Sequence, residues 1–384
     1  MSEHPGWPIA GAGAVAAIGR SPAEIFDALC AGTSGLHPMR GFDRSHYTGD
    51  RLFEIDDRVG SGDVPGRASA FLLDAIGQAL ADAGMGEQLG DTPVLVGTGL
   101  RELRSVELWA REGIPWSADR LHFGHALRER FGATVTYTFS NACSASLYAL
   151  SMACDLLAGG AETVVVAGVD VVTESMVGVA DRLQSVAPDT VRPFDRNRRG
   201  TILGEGASAV VLRRTGERGR PYLGRVRGVA VNCDAHHATA PHAGNIAAAV
   251  HDAHRRAGTG PKDVDLVMLH GTGTHANDVA EAQAMRAVFG TTPEKTLMTA
   301  MKSMTGHTSG ASGLHSLIIA LRAMADGLVP PTLGLDEPID EVADFRIVRG
   351  APAPADLALA QVNAFGFGGI NAVALVAGGR CTRS

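Results

Sequence analysis

Residues 138–146 have the sequence Thr-Phe-Ser-Asn-Ala-Cys-Ser-Ala-Ser, and they lie where a predicted strand, 134–139, meets a long apolar segment, 144–157, that is typical of a helix. The turn between these two elements aims the side chain of Cys143. The positive end of the helix dipole would face the thiol and favour its thiolate. The segment therefore predicts a nucleophilic cysteine in a fold of strands and helices.

Two histidines follow in glycine-rich surroundings. His270 begins His-Gly-Thr-Gly-Thr, and His307 ends Lys-Ser-Met-Thr-Gly-His. One thiol and two imidazoles in such settings suggest acyl transfer through a thioester, in which the sulfur holds the acyl group. A histidine beside glycines is, by itself, usually a loop residue with an ordinary hydrogen bond, so this chemistry needs support from other motifs.

The composition indicates a globular protein. The chain has 384 residues, of which 45% are hydrophobic and 20% are charged, and this is ample material for a core. Its 48 glycines permit tight turns and closely spaced backbones. A net charge of −7, without a long run of Lys and Arg, argues against a protein that coats nucleic acid.

The five cysteines are scattered and form no Cys-x-x-Cys pair, which argues against a disulfide framework or a zinc site and favours a reducing compartment. No Lys or Arg precedes Arg20, so the N-terminus lacks the charged start of a signal peptide. No apolar run approaches the roughly 20 residues that span a bilayer. We expect a cytoplasmic protein that does not enter the membrane.

Short apolar runs alternate with amphipathic stretches, which predicts an α/β fold with largely parallel sheets. Two of the helical segments are apolar on nearly every face, and such helices must be enclosed between sheets. The predicted strands are 93–96, 134–139, 163–172, 201–213, 222–232 and 265–269, and the predicted helices are 68–83, 143–158, 245–257, 280–288 and 313–324.

Similar patterns recur on both sides of a polar break at 216–221. Each side contains a short buried strand that ends in Gly-Thr-Gly, followed later by an apolar helix. We interpret this as a weak internal duplication. The first half, 1–217, would carry Cys143, and the second half, 218–384, would carry both histidines. Together the halves predict a layered α-β-α-β-α architecture.

The sequence resembles the β-ketoacyl-acyl carrier protein synthases of the thiolase superfamily, and the resemblance covers almost the whole chain. Each motif is short, but their order is highly specific, and it implies the thiolase fold. The motifs are Ile9-Ala-Gly-Ala-Gly-Ala-Val, Arg67 to Gly84, Val94 to Leu100, Asn141-Ala-Cys-Ser-Ala-Ser, Arg192-Pro-Phe-Asp, Gly204-Glu-Gly-Ala, His270-Gly-Thr-Gly-Thr, Asn277-Asp278, Glu281-Ala-Gln-Ala, Lys302 to Gly313 and Asn363-Ala-Phe-Gly-Phe-Gly-Gly-Ile-Asn371.

The resemblance implies that Cys143 is the nucleophile and accepts an acyl group from a carrier thioester. Decarboxylative Claisen condensation with a malonyl-type thioester would then use both histidines. Neutral His270 and His307 would donate from Nε2 to the developing enolate oxygen. The backbone N–H groups of Cys143 and Phe367 would hold the oxyanion at the acyl carbonyl. The separate roles of the two histidines stay open.

Three further residues would support this site. Lys302 is expected near the second histidine, His307, where it would fix the charge state of the ring; a surface lysine at a strand end is the plain alternative. Glu205 would be a buried carboxylate that partners this network. Asp278 would brace loops.

Four residues are expected to contact substrate. Thr272 and Thr274 would hydrogen-bond the phosphopantetheine arm, although threonines at this place can simply cap a strand end. Phe365 and Phe367 complete the set, and Phe367, with glycines on both sides, resembles the gate that moves when Cys143 is acylated. No metal and no bound cofactor are expected, because the phosphopantetheine of an acyl carrier protein carries the substrate.

Three other patterns have plainer explanations. Gly11-Ala-Gly13-Ala-Val-Ala16 mimics a dinucleotide fingerprint, but the strand before it is only a few residues long and no clear helix opens on its third position. The histidines of the segment 234–242 lie in a loop at the predicted entrance, where metal binding is not expected. The basic cluster 196–199 could meet an acidic carrier protein, but a solvated turn is the default interpretation.

The Cys-His-His elongating type of ketosynthase fits the motifs best. Degradative thiolases need a second cysteine in a glycine-rich C-terminal loop, which Cys381 does not provide, and priming synthases have asparagine in place of His307. Asn141, where threonine is usual, and His275, where proline is common, depart from the family pattern. The stretch 99–143 also looks shorter than in housekeeping relatives. An unusual acyl substrate and a specialised polyketide or fatty-acid pathway are therefore expected.

Two alternatives remain beside this interpretation. The protein could transfer the acyl group from Cys143 to another nucleophile without decarboxylation. It could also be a non-catalytic partner subunit that has kept its motifs. The resemblance implies a dimer, either a homodimer or a heterodimer with a related ketosynthase subunit.

Overall fold

The structure is a computed structural model that describes residues 6–58, 62–184, 186–216, 221–290 and 295–379. Its helices are α1 (Pro22–Cys30), α2 (Arg67–Asp82), α3 (Leu103–Glu112), α4 (Gly124–Phe131), α5 (Ala145–Ala158), α6 (Glu174–Leu183), α7 (Ala243–Ala257), α8 (His275–Phe289), α9 (Lys302–Thr305) and α10 (Ser312–Asp326). Its strands are β1 (Trp7–Ala16), β2 (His37–Pro38), β3 (Arg51–Leu52), β4 (Val94–Gly97), β5 (Thr136–Phe139), β6 (Thr163–Asp170), β7 (Gly206–Arg213), β8 (Gly224–Cys233), β9 (Leu266–Met268), β10 (Leu297–Thr299), β11 (Leu328–Val329), β12 (Arg346–Ile347), β13 (Ala353–Pro354), β14 (Leu359–Gly366) and β15 (Ile370–Gly378).

Two sets of five strands have the same topology. In the first set the order is β5-β4-β6-β7-β1, and in the second it is β10-β9-β14-β15-β8. In the first set, β1 and β6 each pair antiparallel with β7, and β4 pairs in parallel with β5 and β6. In the second set, β8 and β14 each pair antiparallel with β15, and β9 pairs in parallel with β10 and β14. A short antiparallel pairing of β1 with β8 connects the sets, and β12 extends the second.

Five layers follow from the packing of helices on these strands. The helices α5 and α10 lie between the two sets and contact strands of both. The outer layers are α2, against β1, β6 and β7, and the pair α7 and α8, on the side of β8 and β15. The predicted α-β-α-β-α architecture is therefore confirmed. The prediction of largely parallel sheets was wrong, because the long strands of each set, joined through β7 and β15, pair antiparallel. None of the helices in the described residues is long and apolar enough to cross a membrane.

The strongly periodic segments fold as predicted, and the differences lie where side chains or backbone groups pair over long distances. The predicted strand 201–213 begins only at Gly206, because Leu203 and Gly204 form isolated bridges with His307 and Phe53 instead. The helix predicted over 280–288 begins at His275, where the side chain of Thr274 caps it. Strands β14 and β15 form a buried C-terminal hairpin that the sequence patterns did not predict.

The glycines that resemble a dinucleotide fingerprint lie inside β1, a strand of ten residues, and they let α2 approach the sheet closely. A Cβ atom on Gly13 would lie 2.1 Å from the carbonyl oxygen of Ala75, and one on Gly11 would lie 2.3 Å from that of Ala79. The strand is longer than the sequence suggested. Its glycines therefore serve helix packing, and β1 continues through the position where a phosphate-binding turn would be required.

A buried cluster of arginines and carboxylates holds residues 54–58 and 62–67 against the start of β7. Glu205 accepts hydrogen bonds from Arg67, at 2.8 and 3.1 Å, from Arg58 at 3.2 Å and from the backbone N–H of Ile55 at 2.9 Å. Burial alone would raise the pKa of Glu205, but the two guanidinium groups hold it below its ordinary range. The carboxylate is thus charged in the folded protein.

We expect Gly13→Ala to lower the free energy of unfolding by about 1–3 kcal/mol, because the added methyl group overlaps the backbone of α2. Gly77→Ala is the matched control: Gly77 lies within α2, and its added methyl would have no neighbour within 4 Å. This variant should be about 0.5–1 kcal/mol more stable than the parent, because alanine favours a helix. Urea unfolding of both variants tests the packing, and equal stabilities would contradict it.

Glu205→Gln should lower the free energy of unfolding at pH 7 by about 3–5 kcal/mol, because two buried arginines lose their charged partner. The pKa of Glu205 is depressed in the folded state, so its stabilising effect exists above the unfolded pKa of about 4.3 and is lost as the pH falls through the lower folded value. The variant should therefore show a shallower acid decline in urea unfolding. Glu162→Gln, which removes an exposed ion pair with Arg214, should unfold like the parent.

Candidate functional site

Cys143, the predicted nucleophile, lies on a sharp turn between β5 and α5. Ala142 has a left-handed φ of 48°, and the short 3-10 turn 142–144 that follows leads directly into the buried helix. The second half has the same backbone arrangement: Ser309 has a φ of 44°, and the 3-10 turn 309–311 leads into α10. The two turns contact each other, so the N-termini of the two central helices meet at Cys143.

The structure brings Cys143, His270 and His307 together. One sulfur or nitrogen atom from each residue lies within 4.8 Å of the others. The two imidazole rings are 5.3 Å apart, centre to centre, and are tilted by 78°. Both histidines are almost completely buried, with 2% and 6% of their surface exposed. Three residues that are far apart in the chain thus form one pocket.

The hydrogen-bond partners of the histidines determine which ring nitrogen carries the proton. The backbone N–H of Ser309 donates to Nδ1 of His307 at 3.2 Å, and Nζ of Lys302 lies 3.2 Å from Nδ1 of His270. Burial, reinforced by the charge of Lys302, lowers the pKa of both rings well below the ordinary value. Each ring is therefore neutral and, since its Nδ1 accepts, its Nε2 is the N–H donor.

The spacing of the three residues would also suit a metal ion, and theirs is the one such group among the described residues. A metal-bound histidine, however, needs a free lone pair on the ligating nitrogen and a proton on the other, which then donates to an acceptor. Here both Nδ1 atoms face donors. The site is thus arranged to present two N–H groups to a developing negative charge, and its donor set does not fit a metal.

Lys302 is buried, and its ammonium donates to the carbonyl oxygen of His270 as well as approaching the ring. We expected it beside the second histidine; its hydrogen bonds are with the first, while its charge still acts on His307. Burial lowers the pKa of Lys302 to about 8, and Glu281 opposes this shift. Lys302 lies only five residues before His307, so proximity in sequence did not indicate the hydrogen-bond partner.

Glu281 is the carboxylate of the histidine network, and the sequence analysis assigned it no role. Its oxygens accept from the backbone N–H groups of His270 at 2.7 Å and Gly271 at 2.9 Å. The available signal was helical spacing: Glu281 lies three and four residues after Asp278 and Asn277, which places all three on one face of α8. Each of them is buried.

Glu205 was expected in that network, and its position is different. Its side chain points to Arg58 and Arg67, as described above. The preceding residue, Gly204, contacts the site instead, because its N–H donates to the carbonyl oxygen of His307 at 3.0 Å. The Gly-Glu-Gly motif therefore touches the site through its backbone, which the side-chain pattern does not reveal.

Asp278 joins two loops beside the site. Its carboxylate accepts from the backbone N–H of Phe194 at 2.8 Å and from that of Gly273 at 3.2 Å, and burial raises its pKa to about 6. Arg198 of the basic cluster 196–199 is buried 3.7 Å from it. One arginine of this cluster is thus structural, and the rest of the cluster is exposed.

The backbone N–H groups of Phe367 and of Cys143 itself lie near the sulfur of Cys143 and lower the pKa of its thiol. We expected the helix dipole to favour the thiolate. Burial has the larger effect, however, and raises the pKa of the thiol to about 11, although Lys302 and the two N–H groups oppose it. The side chain of Cys143 is therefore a protonated thiol at neutral pH.

The four expected substrate contacts occupy different positions. The ring of Phe365 is buried and lies 5.7 Å from that of His270, whereas Phe367 is 46% exposed at the mouth of the pocket. The hydroxyl groups of Thr272 and Thr274 lie 2.9 Å apart. Thr274 also caps α8 by accepting from the N–H of Asn277 at 3.3 Å, so a capping role exists for it at a helix rather than at a strand end.

The turn that carries Phe367 passes very close to the nucleophile. A Cβ atom on Gly366 would lie 3.2 Å from the backbone nitrogen of Cys143, so a larger residue would push this turn away. Gly368 donates to the carbonyl oxygen of Ala238 at 2.7 Å, which ties the turn to the histidine-bearing loop 234–242. Cys381, by contrast, lies outside the described residues.

Comparisons with known proteins identify the family of the chain. The family model "Beta-ketoacyl synthase, N-terminal domain" matches residues 8–218, and "Beta-ketoacyl synthase, C-terminal domain" matches residues 223–336. The chain is 30% identical to 3-oxoacyl-[acyl-carrier-protein] synthase I, chloroplastic, of Hordeum vulgare, over 96% of this chain and 88% of that protein. It is 28% identical to 3-oxoacyl-[acyl-carrier-protein] synthase 2 of Coxiella burnetii, over 94% and 96% of the two chains.

Two solved structures are similar over nearly their whole length. The ishigamide ketosynthase/chain length factor has a TM-score of 0.88 and 28% identity, covering 97% of this chain and 99% of that one. A β-ketoacyl synthase from Burkholderia phymatum has a TM-score of 0.87 and 26% identity, covering 98% and 100%. The resemblance found in the sequence is confirmed: the chain belongs to the β-ketoacyl synthase family and is an acyltransferase with the thiolase fold that ketosynthases share.

Proposed function

We propose that this chain is an elongating ketosynthase, which joins an acyl group on Cys143 to a malonyl-type thioester by decarboxylative Claisen condensation. One observation carries the proposal: two neutral imidazoles, both with Nε2 as the N–H donor, converge on one cysteine. Such donors can stabilise the negative charge on an enolate oxygen, and the enolate must stay unprotonated until its α-carbon reacts. Family membership supports the reaction class.

In the first half-reaction, the sulfur of Cys143 attacks the acyl carbonyl of a carrier thioester. The carbon–sulfur bond to the carrier breaks, the carrier thiol leaves with the proton of Cys143, and the acyl group stays on the enzyme. The N–H groups of Cys143 and Phe367, which already converge on the sulfur, would donate to the carbonyl oxygen as it becomes negative.

In the second half-reaction, the bond between the malonyl α-carbon and its carboxylate breaks, and carbon dioxide leaves. The electron pair forms an enolate, whose oxygen accepts from Nε2 of His270 and His307. The α-carbon then attacks the acyl carbonyl, and the bond to the sulfur of Cys143 breaks. The released thiolate takes up a proton, which restores the resting thiol that burial favours.

Several residues have supporting roles in this proposal. Lys302 and Glu281 hold His270 in its tautomer, and Asp278 braces the adjoining loops. Thr272 and Thr274 bind the phosphopantetheine arm. Phe365 and Phe367 contact the substrate, with Phe367 as the gate. The exposed position of Phe367 beside glycines and the buried position of Phe365 against His270 support this division.

We propose an acyl carrier protein as the substrate carrier, with no resident cofactor, because the two relatives described above are named for acyl carrier protein substrates. A dimer, either homomeric or with a related ketosynthase subunit, is also proposed. The strand β5 supports it: it forms one edge of the sheet just before the nucleophile, and Tyr137 on it is 51% exposed. The ishigamide ketosynthase/chain length factor supports a heteromeric pair.

The two halves and the location complete the proposal. We propose 1–217 and 218–384 as the two halves of a duplicated chain; the boundary itself lies outside the described residues, and the repeated strand order supports the duplication. We also propose a cytoplasmic location. The four described cysteines, which are all free, support a reducing compartment.

An acyl adduct on Cys143 should form when the protein is incubated with an acyl carrier thioester, and intact-protein mass spectrometry would detect it. Cys143→Ala should form no adduct and lose more than about 1,000-fold in turnover, because no other group can hold the acyl chain. Cys30→Ala, which removes a half-buried thiol at the end of α1, should form the adduct like the parent. A parent protein without an adduct would indicate a non-catalytic partner subunit.

His270→Ala should lower the release of carbon dioxide from malonyl carrier protein by roughly 100–1,000-fold, because one of two enolate donors is lost. The acyl adduct on Cys143 should still form. Labelled bicarbonate trapping measures the release, and His251→Ala, which changes an exposed histidine of α7, is the control. An acylated parent protein that releases no carbon dioxide would instead support acyl transfer without decarboxylation.

A further inference from the structure

Asp170 is a buried carboxylate that the mechanism above does not use. It ends β6 and is 0% exposed. Its oxygens accept from the hydroxyl of Thr98 and the backbone N–H groups of Gly99 and Leu100, each at 2.8 Å, and from the N–H of Gly310 at 2.7 Å. Backbone groups and one hydroxyl, rather than an arginine or a lysine, hold this carboxylate.

These four hydrogen bonds join two segments, of which the second contacts the turn that carries Cys143. One is the loop 98–100 after β4, and the other is the turn 309–311 before α10. The segments pack so closely that a Cβ atom on Gly310 would lie 2.6 Å from Cα of Thr98. Asp170 lies between them and accepts from both, so it determines how they sit relative to each other.

The turn that Asp170 anchors also contacts both reacting residues. The N–H of Ser309 donates to Nδ1 of His307 at 3.2 Å, and this bond leaves the proton on Nε2. The hydroxyl of Ser312 lies 2.8 Å from the carbonyl oxygen of Ser309, its nearer acceptor, and 3.3 Å from that of Cys143. Gly310, which Asp170 holds, lies between these two serines. A shift of this turn would therefore move the imidazole and the nucleophile relative to each other.

The turn that contains Gly310 corresponds to the turn that contains Cys143 in the first half. Cys143 follows Ala142, and Gly310 follows Ser309, and both preceding residues have a positive φ and begin a 3-10 turn into a central helix. The N–H of Gly310 is thus the second-half counterpart of the Cys143 N–H, one of the proposed oxyanion donors. The carboxylate of Asp170 occupies, in the second half, the place where the first half would hold an oxyanion.

The charge of Asp170 also reaches the nucleophile. It raises the pKa of the Cys143 thiol, whereas Lys302 lowers it. The other titratable groups that face the sulfur are the two imidazoles of His270 and His307, which are neutral. Burial raises the pKa of Asp170 itself to about 6, so the carboxylate is mostly ionised at neutral pH.

We propose that Asp170 is a positioning residue of the condensation, which holds the turn 309–312 so that His307 and Cys143 keep their mutual geometry. The proposal rests on the proposed function of Cys143. It assigns Asp170 to the part of the second half that corresponds to the oxyanion hole of the first.

The test is Asp170→Asn, which preserves size but removes the charge and turns an amide NH₂ toward backbone donors. Release of carbon dioxide should fall by roughly tenfold or more, because small displacements of reacting groups are costly. The rate at which iodoacetamide alkylates Cys143, measured against pH, should shift to lower pH by roughly half to one unit, because a negative charge near the thiol is lost. A merely loosened pocket would raise this rate equally at every pH.

Asp181→Asn is the matched control. This carboxylate on α6 accepts from the N–H of Thr48 at 3.0 Å, from the hydroxyl of the same residue at 2.8 Å and from the N–H of Gly49 at 3.3 Å. It therefore has the same kind of partners as Asp170, but it contacts none of the reacting residues. Turnover and the alkylation profile should both stay within about twofold of the parent.

Thr98→Val keeps the proposal testable if Asp170→Asn does not fold. It removes one of the four donors and leaves the charge, so carbon dioxide release should fall severalfold while the alkylation profile stays in place. Turnover within twofold of the parent in whichever variant folds overturns the proposal, as does an alkylation profile that Asp170→Asn leaves unchanged. A parent protein without an acyl adduct would refute the proposed function instead, and alkylation would still test the link between Asp170 and Cys143.

Discussion

The meeting of two buried helix N-termini is the constraint on which the rest of the structure depends. The first turns of α5 and α10 expose backbone N–H groups that have no partner within the helix, and no bulk water reaches them. The hydroxyl of Ser146 satisfies part of this demand, because it accepts from the N–H of Leu314 at 3.2 Å. The hydroxyl of Ser144 lies 2.8 Å from the carbonyl oxygens of both Ala364 and Ile370, and it ties the start of α5 to β14 and β15 instead. Larger residues would separate the helices and open the site.

Burial also determines the charge states in the pocket. It keeps both imidazoles neutral, keeps the thiol of Cys143 protonated and brings the pKa of Lys302 close to neutrality. A pocket that binds a developing anion benefits from this arrangement, since neutral N–H donors with fixed orientation cost no reorganisation when the charge appears. The carboxylate of Glu281 opposes the effect of burial on the pKa of Lys302, because it favours the charged form of that residue.

The two halves share a strand order but differ in what they place at corresponding positions. The first half presents Cys143 at its helix N-terminus, and the second presents Gly310. The histidines come from the second half only. In the proposed function, two sets of strands with the same order thus carry one asymmetric site: one helix N-terminus is the place of reaction, and Asp170 accepts from the other.

Much of the architecture could be predicted from the sequence, because hydrophobic periodicity and the glycines that end helices and strands are local signals. The helices α2, α5, α7 and α10 and the strands β4, β6 and β9 lie within a few residues of their predicted positions. The candidates Cys143, His270 and His307 were also visible, because each stands in a motif of unusual composition. Partners of buried charges were not: Glu205 pairs with arginines far away in the chain, and Glu281 serves His270. Residue type and spacing thus determined the layers and the candidate reacting groups. Only the tertiary structure decided the tautomers of the histidines, the ion pairs and the charge of the Cys143 thiol, because these depend on which distant backbone groups and charges are buried together.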